Sequence, residues 1–238
     1  MGLSHLGVRL FTRRRVVRLV ERYARAGAVS QSTAARHAVA ITFDDGPHPH
    51  WTPRVLDALD RVKVKATFFV VGKRVTESPD VVVEARRRGH EIGTHLYSHE
   101  REVVFDDRRF GEEVRKSKGE LESLLGEPIR WLRFPYGERG RQHPRRIKSE
   151  YGLDTVHWTY SSHDGMLRNP ADIVARIGAG LRPGVILLMH DALSDESSLP
   201  ARYVAARDAT LTALPQVGAL LALRSLSALT LSELLPRD

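Results

Sequence analysis

At 238 residues the chain is long enough to bury one large core, and with no cysteine it excludes disulfides and thiolate metal sites, leaving His and carboxylate as its metal donors. The net charge of +8 is unevenly placed: residues 1–36 hold eight Arg against one Glu, and the remainder is close to neutral. A near-neutral body lacks the electrostatic footprint of a nucleic-acid binder, so no nucleic-acid partner is expected.

From Leu6 to Arg25 the sequence has a helical period. Leu6, Leu10, Val17, Val20 and Ala24 fall on one stripe, with Arg14, Arg18, Arg22 and Arg25 opposite. Two readings stay open: a helix packed on the domain, or a basic amphipathic helix on an anionic membrane surface. Arg18, Glu21 and Arg22 interrupt the apolar core that a secretory signal needs, which also argues against Arg13-Arg14 as a twin-arginine leader. Nothing is long enough to span a bilayer. The expected location is cytoplasmic, or peripheral on the inner membrane face. Ala26 to His37 reads as a linker, giving a basic helix and linker over 1–36 and one domain over 37–238.

Beyond the linker, strand and helix signals alternate. Strands are expected at Val39–Phe43, Ala66–Val71, His90–Thr94, Ile129–Phe134, Thr155–Tyr160 and Val185–His190, with a weak last one at Ala228–Leu231. Helices are expected near Pro53–Val62, Pro79–Arg88, Arg108–Leu125, Pro144–Tyr151, Pro170–Leu181 and Ala201–Leu223. Several open with Pro in the first turn, where its missing N–H costs nothing. This alternation implies an α/β fold with a parallel sheet, open or closed into a barrel. Polar residues recur just after the strands, where such folds build their sites.

The first of these strands ends in Asp44-Asp45-Gly46-Pro47, two adjacent carboxylates that need a cation or a shared proton. After the third comes His95-Leu96-Tyr97-Ser98-His99, whose two His would share one face of a helical turn. Asp45, His95 and His99 together make a His₂-carboxylate set with an open position, the pattern of catalytic zinc. Asp44 is then free to act as base on water. Arg133, in Leu132-Arg133-Phe134-Pro135-Tyr136-Gly137, can neutralise and orient Asp44. His190 ends the most apolar strand and is a candidate general acid for a leaving amine.

Thr42–Pro47, His95–His99, Arg133-Phe134-Pro135-Tyr136 and Leu188-Met189-His190 resemble four of the five motifs of polysaccharide deacetylases, carbohydrate esterase family 4 or the NodB homology domain. They stand in family order and cover roughly residues 38–235. The resemblance implies a distorted (β/α) barrel of about seven strands. It also implies one divalent metal on Asp45, His95 and His99, usually zinc, with Co2+, Ni2+ or Mn2+ as alternatives. Asp44 would be the base, Arg133 its tuner and His190 the acid. The backbone N–H of Tyr136 would stabilise the oxyanion, and Leu188 would line the pocket for the acetyl methyl. The fifth motif, Asp-x-x-Asp-Trp, is matched by Ser161-Ser162-His163-Asp164-Gly165. Its second Asp is kept as Asp164, which would orient the acid. The first is Ser161, and the Trp that walls the sugar groove is Gly165. His48, His50, His157 and His163 are read as non-ligands, with His163 the one of the four to touch substrate.

The expected activity is metal-dependent removal of N-acetyl groups from an amino sugar: a poly- or oligosaccharide, or a small or lipid-linked sugar. The absent export signal, the basic N-terminal helix and Gly165 lean towards the last group, with peripheral membrane contact through residues 6–25. A hydrolase of non-sugar amides or imides is the rival reading. A non-catalytic sugar-binding relative is a weaker one, since it needs neither base nor acid.

Overall fold

The computed structural model describes residues 28–193 and 201–237, so the basic helix expected over Leu6–Arg25 lies outside the described residues. Strand β1 (Ala38–Asp44) is central. Parallel ladders join it to β2 (Thr67–Val70), β3 (Glu91–Thr94), β4 (Trp131–Leu132) and β5 (Asp154–Thr155) on one side, and to β7 (Ile186–His190) and β6 (Tyr160–Ser161) on the other. A short β8 (Ser227–Leu229) pairs with Ala38–Ala40. The path of seven parallel strands curls into a half-barrel flanked by helices, the distorted barrel that was expected.

The sequence period and the parallel connections require this layout. The flanking helices are α1 (Trp51–Arg61), α2 (Gly72–Glu77), α3 (Pro79–Arg87), α4 (Asp107–Leu125), α5 (Pro144–Tyr151), α6 (Pro170–Gly180), α7 (Ala201–Leu223) and α8 (Leu231–Leu234). Pro opens α3, α5 and α6. The six residues of α2 are too few to carry a readable period. The weak last strand stops at Leu229 because Thr230 caps α8 through a capping box with Glu233.

Period-two alternation divides each strand between two layers. Val39, Ile41, Phe43, Phe68, Val70, Leu187 and Met189 face outward into the core shared with the helices. Ala40, Phe69, Trp131, Val156 and Ile186 face inward and, with Leu231 and Leu234 of α8, plug one end of the half-barrel. By the same alternation the inner row continues towards the strand C-termini through Thr42, Asp44, Arg133, Leu188 and His190. All but His190 are buried, and none joins either apolar cluster.

The strand expected over Thr155–Tyr160 splits in two. Its start pairs with β4 and its end with β7, at opposite edges of the sheet, and residues 156–159 cross the opening between them. No ladder joins β5 to β6 among the described residues. Part of the stretch read as a linker fills that opening. Val29 N donates to Thr155 O at 3.1 Å, His157 N to Val29 O at 2.7 Å, and Ser32 N to Gly184 O at 2.9 Å. A single sequence window cannot show that one extended segment changes partners midway.

The inner plug is the floor beneath the polar row. Leu231→Ala, at a fully buried position, is expected to cost about 2–5 kcal/mol by urea denaturation. A loss under about 1 kcal/mol would mean that the inner cluster is not packed as described.

Candidate active site

Alternation should turn Asp44 and Asp45 to opposite faces, yet both carboxylates reach the same place. Asp44 points inward with Thr42. Asp45 has φ 78°, a left-handed backbone that swings its side chain back beside its neighbour. Arg74 of α2 holds this turn, donating from Nη1 to Asp45 O at 2.9 Å. Buried Asp191 closes it from behind: a Cβ on Gly46 would stand 2.2 Å from Asp191 Oδ2, so only glycine fits. Asp191 accepts from Thr52 Oγ1 at 2.5 Å, and burial pushes its carboxyl up to about 6.

The two histidines meet, but not on a helix. Residues 95–99 form an irregular loop after β3, with Leu96 and His99 both at φ 64°. Spacing four apart brings the rings to 5.0 Å here through two left-handed residues, not through a helical turn. Glu113 of α4 pins the loop, accepting from Tyr97 N at 2.8 Å and Ser98 N at 2.7 Å. His95 Nδ1 donates to Arg133 O at 2.8 Å, which leaves Nε2 to face Asp45. From Asp45 Oδ1, His99 Nε2 lies 3.2 Å away and His95 Nε2 3.6 Å.

One donor atom from each of Asp45, His95 and His99 lies within 4.8 Å of the other two, and all three residues are buried. Burial draws the His95 imidazole down to about 4, so near neutral pH it is unprotonated and able to ligate. Burial alone would raise the Asp45 carboxyl. The hydrogen bond from His99 and the charges of His190, His99 and His95 hold it well below the usual range. Two imidazoles and one carboxylate, with their donor atoms converging, fit a borderline divalent ion such as Zn2+. His48, His50, His157 and His163 are not part of this group.

Asp44 stands beside the cluster, its Oδ2 3.8 Å from His95 Nε2. Arg133 is fully buried and donates from Nη1 to Asp44 Oδ1 and to Thr42 Oγ1, both at 2.7 Å, and from Nη2 to His157 O at 3.2 Å. Its guanidinium lies 4.1 Å over the Phe69 ring. Burial lowers its pKa against the pull of Asp44. The pair leaves Asp44 Oδ2 turned towards the Asp45–His95–His99 cluster.

On the other flank, His190 is the register partner of Asp44. Its Nδ1 donates to Asp164 Oδ1 at 2.9 Å, directing Nε2 away from that carboxylate. Burial works against the imidazolium, but the Asp164 carboxylate overrides it and raises His190 to about 9. Asp164 is fully buried, and burial would raise its carboxyl, yet Arg207 and His190 hold it well below the usual range. A Cβ on Gly165 would lie 4.0 Å from His190 Nδ1 and meet nothing nearer, so open space lies beside His190 where the family pattern has Trp. Tyr136, at φ 58°, stands 4.7 Å from His99 ring to ring, with Arg101 stacked 4.4 Å from its own ring. Leu188 lies two residues before His190 on the inner face of β7.

Two residues of this framework carry no motif. Arg207, Thr210, Leu214, Val217 and Leu221 share one buried stripe of α7, so the available signal for Arg207 was a cation aligned with an apolar row. Glu113 sits next to the buried Val114 of α4, and its partners, two backbone amides of a distant loop, leave no trace in sequence.

The polysaccharide deacetylase family model matches residues 31–156. A peptidoglycan-N-acetylglucosamine deacetylase of Listeria monocytogenes is 33% identical over 76% of the chain, which spans only 36% of that relative's length. A chitooligosaccharide deacetylase of Bradyrhizobium is 33% identical over 74% of this chain and 81% of its own. The crystal structure of a peptidoglycan N-acetylglucosamine deacetylase superimposes with a TM-score of 0.77 at 26% identity, covering 89% of this chain and 94% of that one. The chain belongs to the polysaccharide deacetylase family.

Proposed function

We propose that the protein is a metal-dependent hydrolase that removes N-acetyl groups from an amino-sugar substrate. The observation that carries this is one buried arrangement: the Asp45–His95–His99 cluster, with the Asp44–Arg133 pair on one flank and the His190–Asp164 pair on the other. Base and acid thus come from the ends of adjacent strands, β1 and β7, beside the cluster.

A divalent ion held by Asp45, His95 and His99 would supply Lewis-acid polarisation and acidify water there. Asp44 Oδ2 takes the proton of the attacking water, while Arg133 fixes Oδ1 and so sets which oxygen is available. His190 enters as imidazolium, anchored through Nδ1, and gives its Nε2 proton to the departing nitrogen. That proton is what lets an amine leave where an amide anion could not. The Tyr136 backbone N–H is assigned to the developing oxyanion, and Leu188 to the acetyl methyl.

Relatives named for peptidoglycan and chitooligosaccharide deacetylation support an N-acetylated sugar as substrate. Ser161 and the space at Gly165 favour a small or lipid-linked amino sugar over a polymer that needs an aromatic wall. The same space supports the rival, a non-sugar amide or imide. Turnover of chito-oligosaccharides, peptidoglycan fragments, simple N-acetyl sugars and a lipid-linked sugar, set against cyclic imides, separates the two. We also assign residues 6–25 to peripheral contact with an anionic membrane, with the domain on its cytoplasmic side. The 238-residue chain should sediment with anionic liposomes and a chain starting at His37 should not; equal sedimentation refutes the contact.

Asp44→Asn should keep zinc but lose about 10²–10⁴-fold in kcat, the usual worth of a general base, whereas His95→Ala should emerge from dialysis without zinc. Full turnover by Asp44→Asn would remove the base assignment. The acid is checked by NMR titration of His190 in metal-free protein. In the wild type the imidazolium is expected to persist up to about pH 9. Because this value is raised, the pairing with Asp164 is fully present below the ordinary histidine value and fades as pH rises through about 9. Asp164→Asn should move the transition down, since burial and Arg207 then act against only the weaker pull of Asp45. An unchanged transition would mean that Asp164 does not tune the acid.

A further inference from the structure

We infer that Arg207 is a positioning residue for the acid side of the site: it clamps Asp164 to the backbone of His190, so that the His190 ring is held in line with the leaving nitrogen. The inference rests on the reading of His190 as the acid. Nη1 of Arg207 donates to Asp164 Oδ2 at 3.1 Å and also to His190 O, and Nη2 donates to Asp164 O at 2.8 Å. One planar fork therefore ties the residue 164 loop to the end of β7. Lysine, a point charge with no fixed plane, cannot hold all three acceptors at once.

The chemistry around Asp164 says what the clamp does. Its carboxylate takes five donors: Ser162 Oγ at 2.8 Å and His190 Nδ1 at 2.9 Å on one oxygen, and His190 N at 3.0 Å, Thr210 Oγ1 at 3.1 Å and Arg207 on the other. Where the family pattern has its first Asp, this chain has Ser161, so Asp164 is the one carboxylate of its loop shared between two cations. A guanidinium as buried as Arg207 is costly unless its charge is matched. If the need were only to hold α7 in place, a residue like the Leu214, Val217 and Leu221 of the same stripe would serve.

The charged groups facing His190 are Asp164 and His163 from the loop after β6, Arg207 from α7, and Asp44 and Asp45 from the end of β1. Arg207 opposes the pull of Asp164 on the imidazolium. It therefore aligns the acid and also keeps its proton transferable.

The test is Arg207→Met and Arg207→Lys in the zinc-loaded 238-residue chain, assayed on N-acetylated chito-oligosaccharides. Arg207→Met is expected to lower kcat about 10–100-fold, the scale of a misaligned reacting group, with KM and zinc content unchanged and the alkaline limb of the rate profile moved to higher pH. Arg207→Lys should recover part of the loss. Wild-type kcat in either variant overturns the inference, and so does a loss with an unmoved alkaline limb and no recovery by Lys. If the Met variant does not fold, Arg207→Lys alone decides, with about a 3–10-fold deficit expected. His190 ring signals in metal-free protein read the clamp without turnover. A wild type that never hydrolyses N-acetyl sugars ends the reading of the function, whereas unchanged His190 signals in Arg207→Lys end this one.

Discussion

Two carboxylates at the end of one strand are buried, at 3% and 8% exposure, where unpaired negative charge is least tolerated. The rest of the site answers that constraint. Asp44 is matched by Arg133, whose own burial is matched in return and whose backbone carbonyl orients His95. Asp45 is matched by His99 and His95. Remove the pair and the buried arginine has no counter-charge, and the converging imidazoles lose their carboxylate partner.

The outer supports follow the same logic at longer range. Left-handed residues at Asp45, Leu96 and His99 are needed to bring the side chains together, and each turn is braced by a group from a helix. Arg74 of α2 takes the Asp45 carbonyl, and Glu113 of α4 takes two amides of the histidine loop. Arg207 of α7 does the same for Asp164 and His190. Helices packed outside the sheet thus set the geometry of a site that lies inside it. The plug of Phe69, Trp131, Ile186 and Leu231 closes the other end, so the polar row is accessible from one side.

Much of this was legible without coordinates. Period-two alternation separates Val39, Ile41 and Phe43 from Ala40, Thr42 and Asp44, and the Gly-Pro break fixes where the strand must stop. Placing Asp44, Asp45, His95, His99, Arg133 and His190 at strand ends was enough to bring them together, because parallel strands deliver their C-termini to one side. The helical argument for His95 and His99 reached the right pair through the wrong backbone, since spacing alone does not distinguish a helical turn from a loop with two left-handed residues.

What the sequence by itself determined is therefore the set of candidate site residues and the face they share, because alternation and motif spacing are local properties of the chain. Only the tertiary structure decided the partners. The split of 155–160 between two edges, the insertion of Val29–Ser32 into the opening, Glu113 beneath the histidine loop and Arg207 behind the acid all join residues far apart in sequence. Each depends on which buried charge or unpaired amide a neighbour presents. That is set by how the helices pack on the sheet and leaves no local period to read.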